Sequence, residues 1–336
     1  MLNTAAENKL KLIDPYNRFL NYLRISIIDR CNLKCMYCVP DGKIPKLSHL
    51  EILSYEELLR IITVGAQLGI SKVRITGGEP LVRKNVFPFL EKITAIKALS
   101  DVSLTTNGVL LIDSVDALRS AGIKRINVSL DTLDRAKYKT VTGRDHFDRV
   151  WAGILAAQKA GFYPIKLNMV VLSGINEDEF LDFARLSFTY PFHIRFIEYM
   201  PIGNPRMKFN RDILAPEIKR RLEAIGELIP AEKEDLSGPA ERYRFKGAMG
   251  EIGFIRPISR HFCGSCNRLR LTASGQIRTC LLSDDQVDLK GPMRKGCSDN
   301  ELAEILIKSI RHKPSEHHLL ADQEPKVSSE MSAIGG

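Results

Sequence analysis

One pattern repeats from about residue 20 to about residue 200 and limits the fold more than any other feature of this sequence. A short run of mostly β-branched residues ends in a polar or glycine-rich turn, and a longer stretch with apolar residues at helical spacing follows. The pattern predicts six strands, at residues 23–28, 73–76, 102–105, 126–129, 165–171 and 194–198. It predicts helices between them, at residues 55–68, 87–99, 112–121, 147–160 and 178–190. Strands that alternate with helices form βα units around a parallel sheet, which predicts an α/β protein.

Six strands are too few for a closed eight-stranded barrel, so two alternatives remain, an open partial barrel and a doubly wound sheet. In either fold, ligands bind beyond the C-terminal ends of the strands, which places functional loops at residues 29–40, 77–83, 105–108, 129–133 and 198–204. The pattern stops after about residue 210. A helix at 216–225, short strands at 243–245, 251–256 and 269–272, and a helix at 301–309 are predicted there. We therefore expect a core at residues 1–210 and a smaller second region at residues 211–336.

Composition excludes several classes of protein. Seven cysteines are an odd number and too few for a disulfide scaffold in 336 residues. The first eleven residues contain Glu7 and no apolar segment, so we expect no secretory signal, a cytoplasmic location and free thiols. No apolar stretch approaches the roughly 18 residues that a membrane span requires, so no membrane partner is expected. The 49 Lys and Arg residues exceed the 40 Asp and Glu residues, and this mild excess suits an anionic ligand.

Three cysteines stand directly after the first predicted strand with the spacing C-x3-C-x2-C. We call Cys31, Cys35 and Cys38 the first triad. A structural zinc site needs four ligands, usually as two C-x2-C pairs, so three thiols in one loop suit zinc poorly. An iron–sulfur cluster normally takes four thiolates, and three would leave one iron open for a ligand that is not a protein side chain. A zinc site with a distant fourth ligand is the alternative.

The first triad, the aromatic Tyr37 before its last cysteine and the later run Thr76-Gly77-Gly78-Glu79-Pro80 resemble the radical S-adenosylmethionine (SAM) enzymes. The resemblance implies an open partial (β/α)6 TIM-like barrel, a [4Fe-4S] cluster on the first triad and SAM chelated by the open iron. It also implies that the reduced cluster generates a 5′-deoxyadenosyl radical from SAM. The glycines would let backbone carbonyls approach the methionyl ammonium, and the Glu79 carboxylate would add complementary charge.

A second group of three cysteines, Cys263, Cys266 and Cys280, has the spacing C-x2-C-x13-C, and we call it the second triad. Three thiols again fall one short of a structural zinc site, although Cys297 as a fourth ligand would make a zinc ribbon. The stretch from residue 256 to residue 280 holds five arginines and no acidic residue, which predicts an anion-binding site. These arginines are Arg256, Arg260, Arg268, Arg270 and Arg278.

The second triad, the run Asn267-Arg268-Leu269-Arg270 and the final Gly335-Gly336 pair make the chain similar to the GTP 3′,8-cyclases, the first enzymes of molybdenum cofactor biosynthesis. The resemblance runs from about residue 21 to the end of the chain. It implies a second [4Fe-4S] cluster, on the second triad in the C-terminal region, whose open iron binds the guanine of GTP. By position, the SAM-binding residues would be Tyr37, Gly78, Ser129 and Met200. The GTP-binding residues would be Arg24, Arg74, Thr105, Lys166, Arg268, Leu269 and Arg270.

The same resemblance implies the reaction and the partners. A hydrogen atom would leave ribose C3′ of GTP, and C3′ would then attack guanine C8. A reducing equivalent would then quench the radical to give 3′,8-cyclo-7,8-dihydro-GTP. No side chain is assigned as a general acid or base, and Gly335 and Gly336 are expected to reach beside the substrate. The family also implies an external electron donor of flavodoxin or ferredoxin type, and a downstream cyclic pyranopterin monophosphate synthase that takes the product.

Two other classes of protein remain as alternatives. A zinc-binding nucleic-acid protein is disfavoured because no interleaved aromatic stack accompanies the basic residues at 256–280, so no nucleic-acid partner is expected. A radical enzyme that modifies a peptide through auxiliary clusters is disfavoured because only four cysteines follow Cys38. The residues leave the oligomeric state open, with a homodimer as the working expectation.

Overall fold

The computed structural model describes residues 11–39, 47–202, 213–232, 238–317, 327 and 331–334. The strands are β1 (Tyr22–Ser26), β2 (Lys72–Thr76), β3 (Asp101–Thr106), β4 (Arg125–Ser129), β5 (Ile165–Val170), β6 (His193–Ile197), β7 (Leu228–Pro230), β8 (Glu241–Phe245), β9 (Glu251–Ile255), β10 (Arg268–Leu271), β11 (Gln276–Arg278) and β12 (Val287–Asp288). The helices are α1 (Tyr55–Gln67), α2 (Val86–Thr94), α3 (Val115–Ser120), α4 (Arg135–Thr142), α5 (Phe147–Lys159), α6 (Phe180–Thr189), α7 (Ala215–Leu222), α8 (Lys290–Arg294), α9 (Asp299–Ser309) and α10 (Met331–Ile334). No helix within the described ranges has the length and apolarity to cross a lipid bilayer.

These strands form one sheet in the order β12-β11-β10-β1-β2-β3-β4-β5-β6-β9-β8-β7. The six core strands are parallel and follow one another in chain order without the reversal that marks a doubly wound sheet. Among the strands described, β12 and β7 are the two edges, so the sheet is open. The expected open partial (β/α)6 barrel is therefore confirmed.

The strands of the C-terminal region extend both sides of this same sheet. Strand β10 pairs in parallel with β1, and β9 pairs in parallel with β6. The antiparallel strands β11 and β12 continue from β10, and β8 and β7 continue from β9. The second region therefore extends the core sheet at both edges, and a boundary at residue 210 stays a prediction.

The predicted helices form where capping residues and apolar spacing agree. Helix α1 begins at Ser54, whose hydroxyl accepts from Glu57 N–H while the Glu57 carboxylate accepts from Ser54 N–H, a capping box. It is followed by Gly69 at a φ of +97°, a left-handed conformation that glycine adopts without strain. The apolar sides of these helices pack on one face of the sheet and form the main core.

Helix α4 was not predicted from the sequence. Asp134 caps it by accepting a 2.8 Å hydrogen bond from Lys137 N–H, and Gly143 ends it at a φ of +70°. Only Tyr138, Val141 and Thr142 of the helix are buried, so its apolar pattern is too sparse to stand out. The helix positions the loop that carries the first triad.

Candidate active site

The first triad lies on a loop at the C-terminal end of β1, as expected. Lys34 N–H donates to Thr142 O and Met36 N–H donates to Val141 O, both at 2.9 Å, so the loop is attached to the end of α4. Cys38 N–H donates to Cys35 O at 2.9 Å, which closes a turn. All three thiols are half-buried. The fold thus holds three cysteines in one ordered turn.

The surroundings of these thiols suit a bound iron–sulfur cluster. Burial, then Asp131 and the neighbouring cysteines, raise the pKa of the Cys35 thiol well above its usual value. Burial also raises the pKa of the Cys31 thiol, although Leu33 N–H donates to its sulfur at 3.4 Å. Three thiols held this close repel one another as thiolates, and iron ions in a cluster would offset that repulsion.

The glycine run after β2 is built against the cysteine loop. Gly78 N–H donates to Ile28 O at 2.6 Å, and Glu79 N–H donates to Arg30 O at 2.8 Å. The Glu79 side chain is fully buried and accepts hydrogen bonds from Leu81 N–H, Asn107 N–H and the Thr106 hydroxyl. Burial raises the Glu79 pKa to about 7. The carboxylate therefore joins two loops rather than facing a ligand, in contrast to the expectation that it would complement an ammonium.

The remaining predicted SAM-binding residues are at the same end of the sheet. The Tyr37 hydroxyl donates to Asp131 Oδ2 at 2.8 Å, just beyond the end of β4. Ser129 is the last residue of β4, opposite Asn168 of β5. Met200 follows β6 and packs against an apolar cluster formed by Ile202, Val327 and Ile334. Asp131, which the sequence did not single out, has its pKa raised to about 6 by burial.

The sheet face that points away from the helices is polar, and we call it the inner face. It consists of alternate residues that the strand registers align in levels. One level holds Arg268, Tyr22, Lys72 and Asp101. The next holds Arg270, Arg24, Arg74, Ser103 and Arg125. Further levels hold Thr105, Asn127, Lys166 and His193, and then Ser129, Asn168 and Arg195.

Many buried polar atoms on the inner face have no hydrogen-bond partner among the described residues. They are Tyr22 Oη, Arg74 Nε, Ser103 Oγ, Thr105 Oγ1, Asn127 Oδ1 and Asn168 Oδ1. Buried polar groups of native proteins are nearly always bonded to protein, water or ligand. The inner face therefore has the character of a ligand-binding lumen rather than of a packed barrel core.

The lumen is strongly basic. Lys166 and Arg195 are 7% and 5% exposed, and neither has a hydrogen-bond or ion-pair partner within the described residues. Burial, followed by nearby arginines, lowers the pKa of Lys166 to about 5 and that of Arg195 to about 9. Both line an open cavity of about 360 Å³ at the N-terminal ends of β3 to β6, together with Arg125. Unpaired buried cations of this kind favour an anionic ligand.

Asp101 is the acidic residue that supports this basic lumen. Its carboxylate lies 3.3 Å from Lys72 Nζ and accepts two hydrogen bonds from the Arg125 guanidinium. Asp101→Asn would remove the carboxylate charge that the buried Lys72 and the half-buried Arg125 share, and we expect the free energy of unfolding to fall by about 3–5 kcal/mol. Urea denaturation measures this. Asp113→Asn, which breaks the exposed pair with Arg149, is the matched control and should cost less than about 1 kcal/mol. Equal effects of the two substitutions would contradict the assignment.

The second triad lies at the opposite end of the sheet from the first. Cys263 and Cys266 precede β10, whose first residue Arg268 is aligned with Tyr22 at the start of β1. Cys280 follows β11, which returns antiparallel to the same end. At 3.3 Å per residue, β1 separates the two ends by roughly 13 Å. The expectation that ligands bind at the C-terminal ends of the strands therefore applies only to the first triad.

All three cysteines of the second triad line one cavity with Arg268, Arg270, Thr279, Leu281 and Leu282. The Lys313 ammonium, which the sequence did not single out, lies 3.6 Å from Cys266 Sγ and donates to Arg268 O and Thr279 O. Lys313 and Arg268 lower the pKa of Cys266 against the opposing effect of burial. The donor set, three thiols beside buried cations, fits an anionic iron–sulfur cluster. No group of three His, Cys, Asp or Glu side chains in the described ranges is arranged to hold a single metal ion.

The expectation of five unopposed arginines around this triad is wrong for three of them. Arg256 and Arg260 lie near Glu241, at 3.1 and 3.4 Å, and Arg278 lies 3.2 Å from Asp284. These acidic residues stand outside the stretch 256–280, so the local sequence did not reveal them. Arg268 and Arg270 remain on the cavity wall, and Leu269 between them is buried in the apolar core. Leu269 can therefore offer only its backbone to a ligand.

Two further expectations concern residues away from these walls. Cys297 belongs to the segment between α8 and α9, where its carbonyl accepts from Arg60, and it is not on the described wall of the second cavity. Gly335 and Gly336 lie outside the described residues. Three lumen residues were not predicted as site residues: Lys72, Arg125 and Arg195. The sequence signal for them is a charged residue at alternate positions of an otherwise apolar strand.

Two family models match consecutive parts of the chain. The model described as Radical SAM superfamily matches residues 25–187, and that described as Molybdenum Cofactor Synthesis C matches residues 192–319. Among solved structures, Streptococcus suis SuiB bound to S-adenosylmethionine is similar in fold, with a TM-score of 0.65 at 16% identity over 88% of this chain and 69% of that chain. The fold and the first triad thus define a radical SAM enzyme, a class that uses a [4Fe-4S] cluster and SAM.

Curated relatives identify a family within this class of enzyme. The chain is 47% identical to the GTP 3′,8-cyclase of Moorella thermoacetica, over 96% of this chain and 99% of that protein. It is 49% identical to the GTP 3′,8-cyclase of Desulforamulus reducens, over 97% of this chain and 100% of that protein. It is also 49% identical to that of Thermodesulfovibrio yellowstonii, over 96% and 99% respectively. The chain belongs to the GTP 3′,8-cyclase family.

Proposed function

We propose that this chain converts GTP to (8S)-3′,8-cyclo-7,8-dihydroguanosine 5′-triphosphate for molybdenum cofactor biosynthesis. The observation that carries the proposal is the basic lumen, whose two ends are occupied by the two triads. A reduced [4Fe-4S] cluster held by Cys31, Cys35 and Cys38 would supply the electron that cleaves SAM to methionine and a 5′-deoxyadenosyl radical. That radical would take the C3′ hydrogen of GTP, and C3′ would then attack guanine C8. One electron from the external donor and one proton would convert the nucleotide radical to the product. The protein orients the reactants and excludes water.

SAM is assigned to the end of the lumen at the first triad. Gly78 presents its backbone beside the cysteine loop, and Ser129 is the last residue of β4 at the same end of the sheet. Tyr37 is fixed by its 2.8 Å hydrogen bond to Asp131, so its main chain is held beside Cys38. Met200 supplies an apolar contact at the far side, where it packs near Ile202. These contacts support the four proposed SAM-binding residues.

GTP is assigned to the lumen between the triads. A second [4Fe-4S] cluster on the second triad would hold the guanine through its open iron, beside Arg268 and Arg270. From there, adjacent strands present Arg24, Arg74 and Thr105 along the inner face toward Lys166, which gives the triphosphate a continuous series of donors. Guanidinium groups keep their charge and bond two phosphate oxygens at once. Lys72 and Arg195 belong to the same series and are added to the proposed set.

The described part of the C-terminal segment supports a role for Gly335 and Gly336. Ile334 is 1% exposed and is buried in the apolar cluster that also contacts Met200, Leu281 and Leu282. Leu281 and Leu282 line the cavity of the second triad. The burial of Ile334 between the proposed SAM and GTP sites supports the proposal that Gly335 and Gly336 act beside the substrate.

The test is anaerobic incubation of the iron-reconstituted protein with SAM, a reductant and GTP deuterated at C3′. We expect 5′-deoxyadenosine that carries the deuterium, together with a cyclised nucleotide. Unlabelled 5′-deoxyadenosine would place the abstraction elsewhere. A colourless protein with stoichiometric zinc and no SAM cleavage would overturn the proposal.

Iron analysis should give about eight irons per chain, and a firm value near four would remove the second cluster.

Lys166 makes GTP binding depend on pH. With a pKa of about 5 the free side chain is mostly neutral at pH 7, and a triphosphate beside it would favour the ammonium form. Binding should therefore take up about one proton per GTP at pH 7, and the affinity should fall as the pH rises above 5. Calorimetry in two buffers of different ionisation enthalpy measures the uptake. Lys166→Met should abolish it and Lys159→Met, on the surface, should not. A buffer-independent enthalpy in the unaltered protein would contradict this role.

The proposed partners are those that the resemblance to the family implies. An electron donor of flavodoxin or ferredoxin type would reduce the cluster of the first triad, and a cyclic pyranopterin monophosphate synthase would take the product. We propose a cytoplasmic enzyme that works on a free nucleotide, without a nucleic-acid or membrane partner, and a homodimer as its assembly.

A further inference from the structure

We propose that Asn107 donates a hydrogen bond to the sulfur of Cys31 and thereby raises the reduction potential of the cluster at the first triad. Asn107 follows β3 in the turn Thr105-Thr106-Asn107-Gly108. It acts as a positioning residue toward a cofactor that the superfamily implies. The proposal rests on that cluster and does not depend on GTP or on the second triad.

The position of the Asn107 amide group is the first observation. Its Nδ2 atom lies 3.6 Å from Cys31 Sγ and donates to Asn32 Oδ1 at 2.7 Å. Its Oδ1 atom accepts from Val109 N–H at 3.0 Å. An amide has one acceptor end and one donor end, so the bond from Val109 determines which end faces the cysteine loop. The two N–H bonds are therefore directed at residues 31 and 32.

The backbone around Asn107 is fixed by the buried Glu79 carboxylate. Glu79 accepts from Asn107 N–H at 2.7 Å and from the Thr106 hydroxyl at 2.8 Å. Its own N–H donates to Arg30 O, the residue directly before Cys31. Glu79 thus connects the loops after β1, β2 and β3, and it sets the distance between the Asn107 amide and the Cys31 sulfur.

A hydrogen-bond donor at this sulfur changes the reduction potential of a bound cluster. Hydrogen bonds to cluster sulfurs stabilise the form with more negative charge, which is the form after one electron arrives from the external donor. The effect is strong where water is partly excluded, and both Cys31 and Asn107 are half-buried. Leu33 N–H at 3.4 Å is a second donor to the same sulfur, so Asn107 contributes part of the stabilisation.

The ordinary role of an asparagine in such a turn is to bond its own backbone two residues on, and the bond from Val109 does this. That role requires only the Oδ1 atom. It does not account for the Nδ2 atom, which has both of its contacts on the cysteine loop. The two ends of the side chain can therefore be tested separately.

Asn107→Asp is the decisive variant, because it keeps the shape and the Val109 bond but replaces the N–H donors by a carboxylate oxygen. Asn107→Ala is the second variant, and Asn300→Ala is the control, since Asn300 is an exposed asparagine of α9, outside the lumen and the two cysteine triads. The measurement is a potentiometric titration of the reconstituted holoenzyme, followed by the electron paramagnetic resonance signal that changes when SAM is added. Alanine should make reduction about tenfold less favourable, a midpoint lower by about 59 mV for one electron, and aspartate should lower it further. The control should keep the midpoint of the unaltered protein.

A midpoint that stays unchanged in iron-loaded Asn107→Asp would overturn the proposal. A purely structural role would reduce the iron content and leave the midpoint of the loaded fraction in place, which also overturns it. Failure of the cluster assignment itself has a different signature, because the unaltered protein would then give no signal that responds to SAM.

Discussion

Replacing Gly78 by alanine should abolish SAM cleavage. A Cβ atom at this position would lie 2.5 Å from the carbonyl carbon of Arg30 and 2.7 Å from Asp29 O, whereas real Cβ contacts essentially never fall below 3.0 Å. Both neighbours are backbone atoms, so a side-chain rotation cannot relieve the clash. The loops after β1 and β2 would have to separate, and Cys31, the residue after Arg30, would move with them. The measurement is anaerobic formation of 5′-deoxyadenosine, together with iron content and the unfolding midpoint.

Gly238→Ala is the matched control for this substitution. Among the described residues, no heavy atom lies within 4 Å of a Cβ atom added at Gly238, and its φ is not positive, so the same change should leave SAM cleavage and stability in place. Overpacking at Gly78 should lower the free energy of unfolding by about 1–3 kcal/mol. Normal SAM cleavage in Gly78→Ala would show that the close approach of the two loops is not needed for the reaction.

The core fold could be predicted because its signals are local. Each of the six strands was predicted within two residues at its start and at its end, since a β-branched run between turn residues defines a strand without reference to the rest of the chain. Helix α4 was missed because Asp134 and Gly143 bound a segment with few apolar residues. The attachment of β9 and β10 to opposite edges could not be predicted, because pairing between Arg268 and Tyr22 joins residues far apart in sequence.

The site was predicted where residues are adjacent in sequence and was incomplete where the fold brings residues together. The first triad needs only one loop. The lumen needs six strands in register, so the sequence marks Lys72, Arg125 and Arg195 only as charged residues of apolar strands, and the structure shows that they share one face. Glu79 was expected to face a ligand, but its environment depends on Thr106 and Asn107 of the next βα unit. Contacts of this kind become visible only when the order of the strands is known.

Replacing Arg195 by methionine should have opposite effects on stability and on GTP binding. The guanidinium is buried, its pKa is lowered to about 9, first by burial and then by Arg74, and no partner exists for it within the described residues. Removing a buried unpaired cation should raise the free energy of unfolding of the free protein by roughly 1–3 kcal/mol. A charge-assisted hydrogen bond to a phosphate is worth about 1.5–3 kcal/mol, so the dissociation constant for GTP should rise about 10- to 100-fold.

The two effects separate a binding residue from a structural one. If Arg195 served the fold, its replacement would make the protein less stable. A buried cation that serves a ligand instead lowers the stability of the free protein and contributes favourable free energy only when the ligand binds. Urea denaturation without GTP and calorimetric titration with GTP measure the two quantities on the same sample. Arg185→Met, which removes an exposed arginine paired with Asp182, controls for the chemical change and should alter neither quantity appreciably. A less stable Arg195→Met protein, or one that binds GTP with unaltered affinity, would contradict the placement of the triphosphate in the lumen.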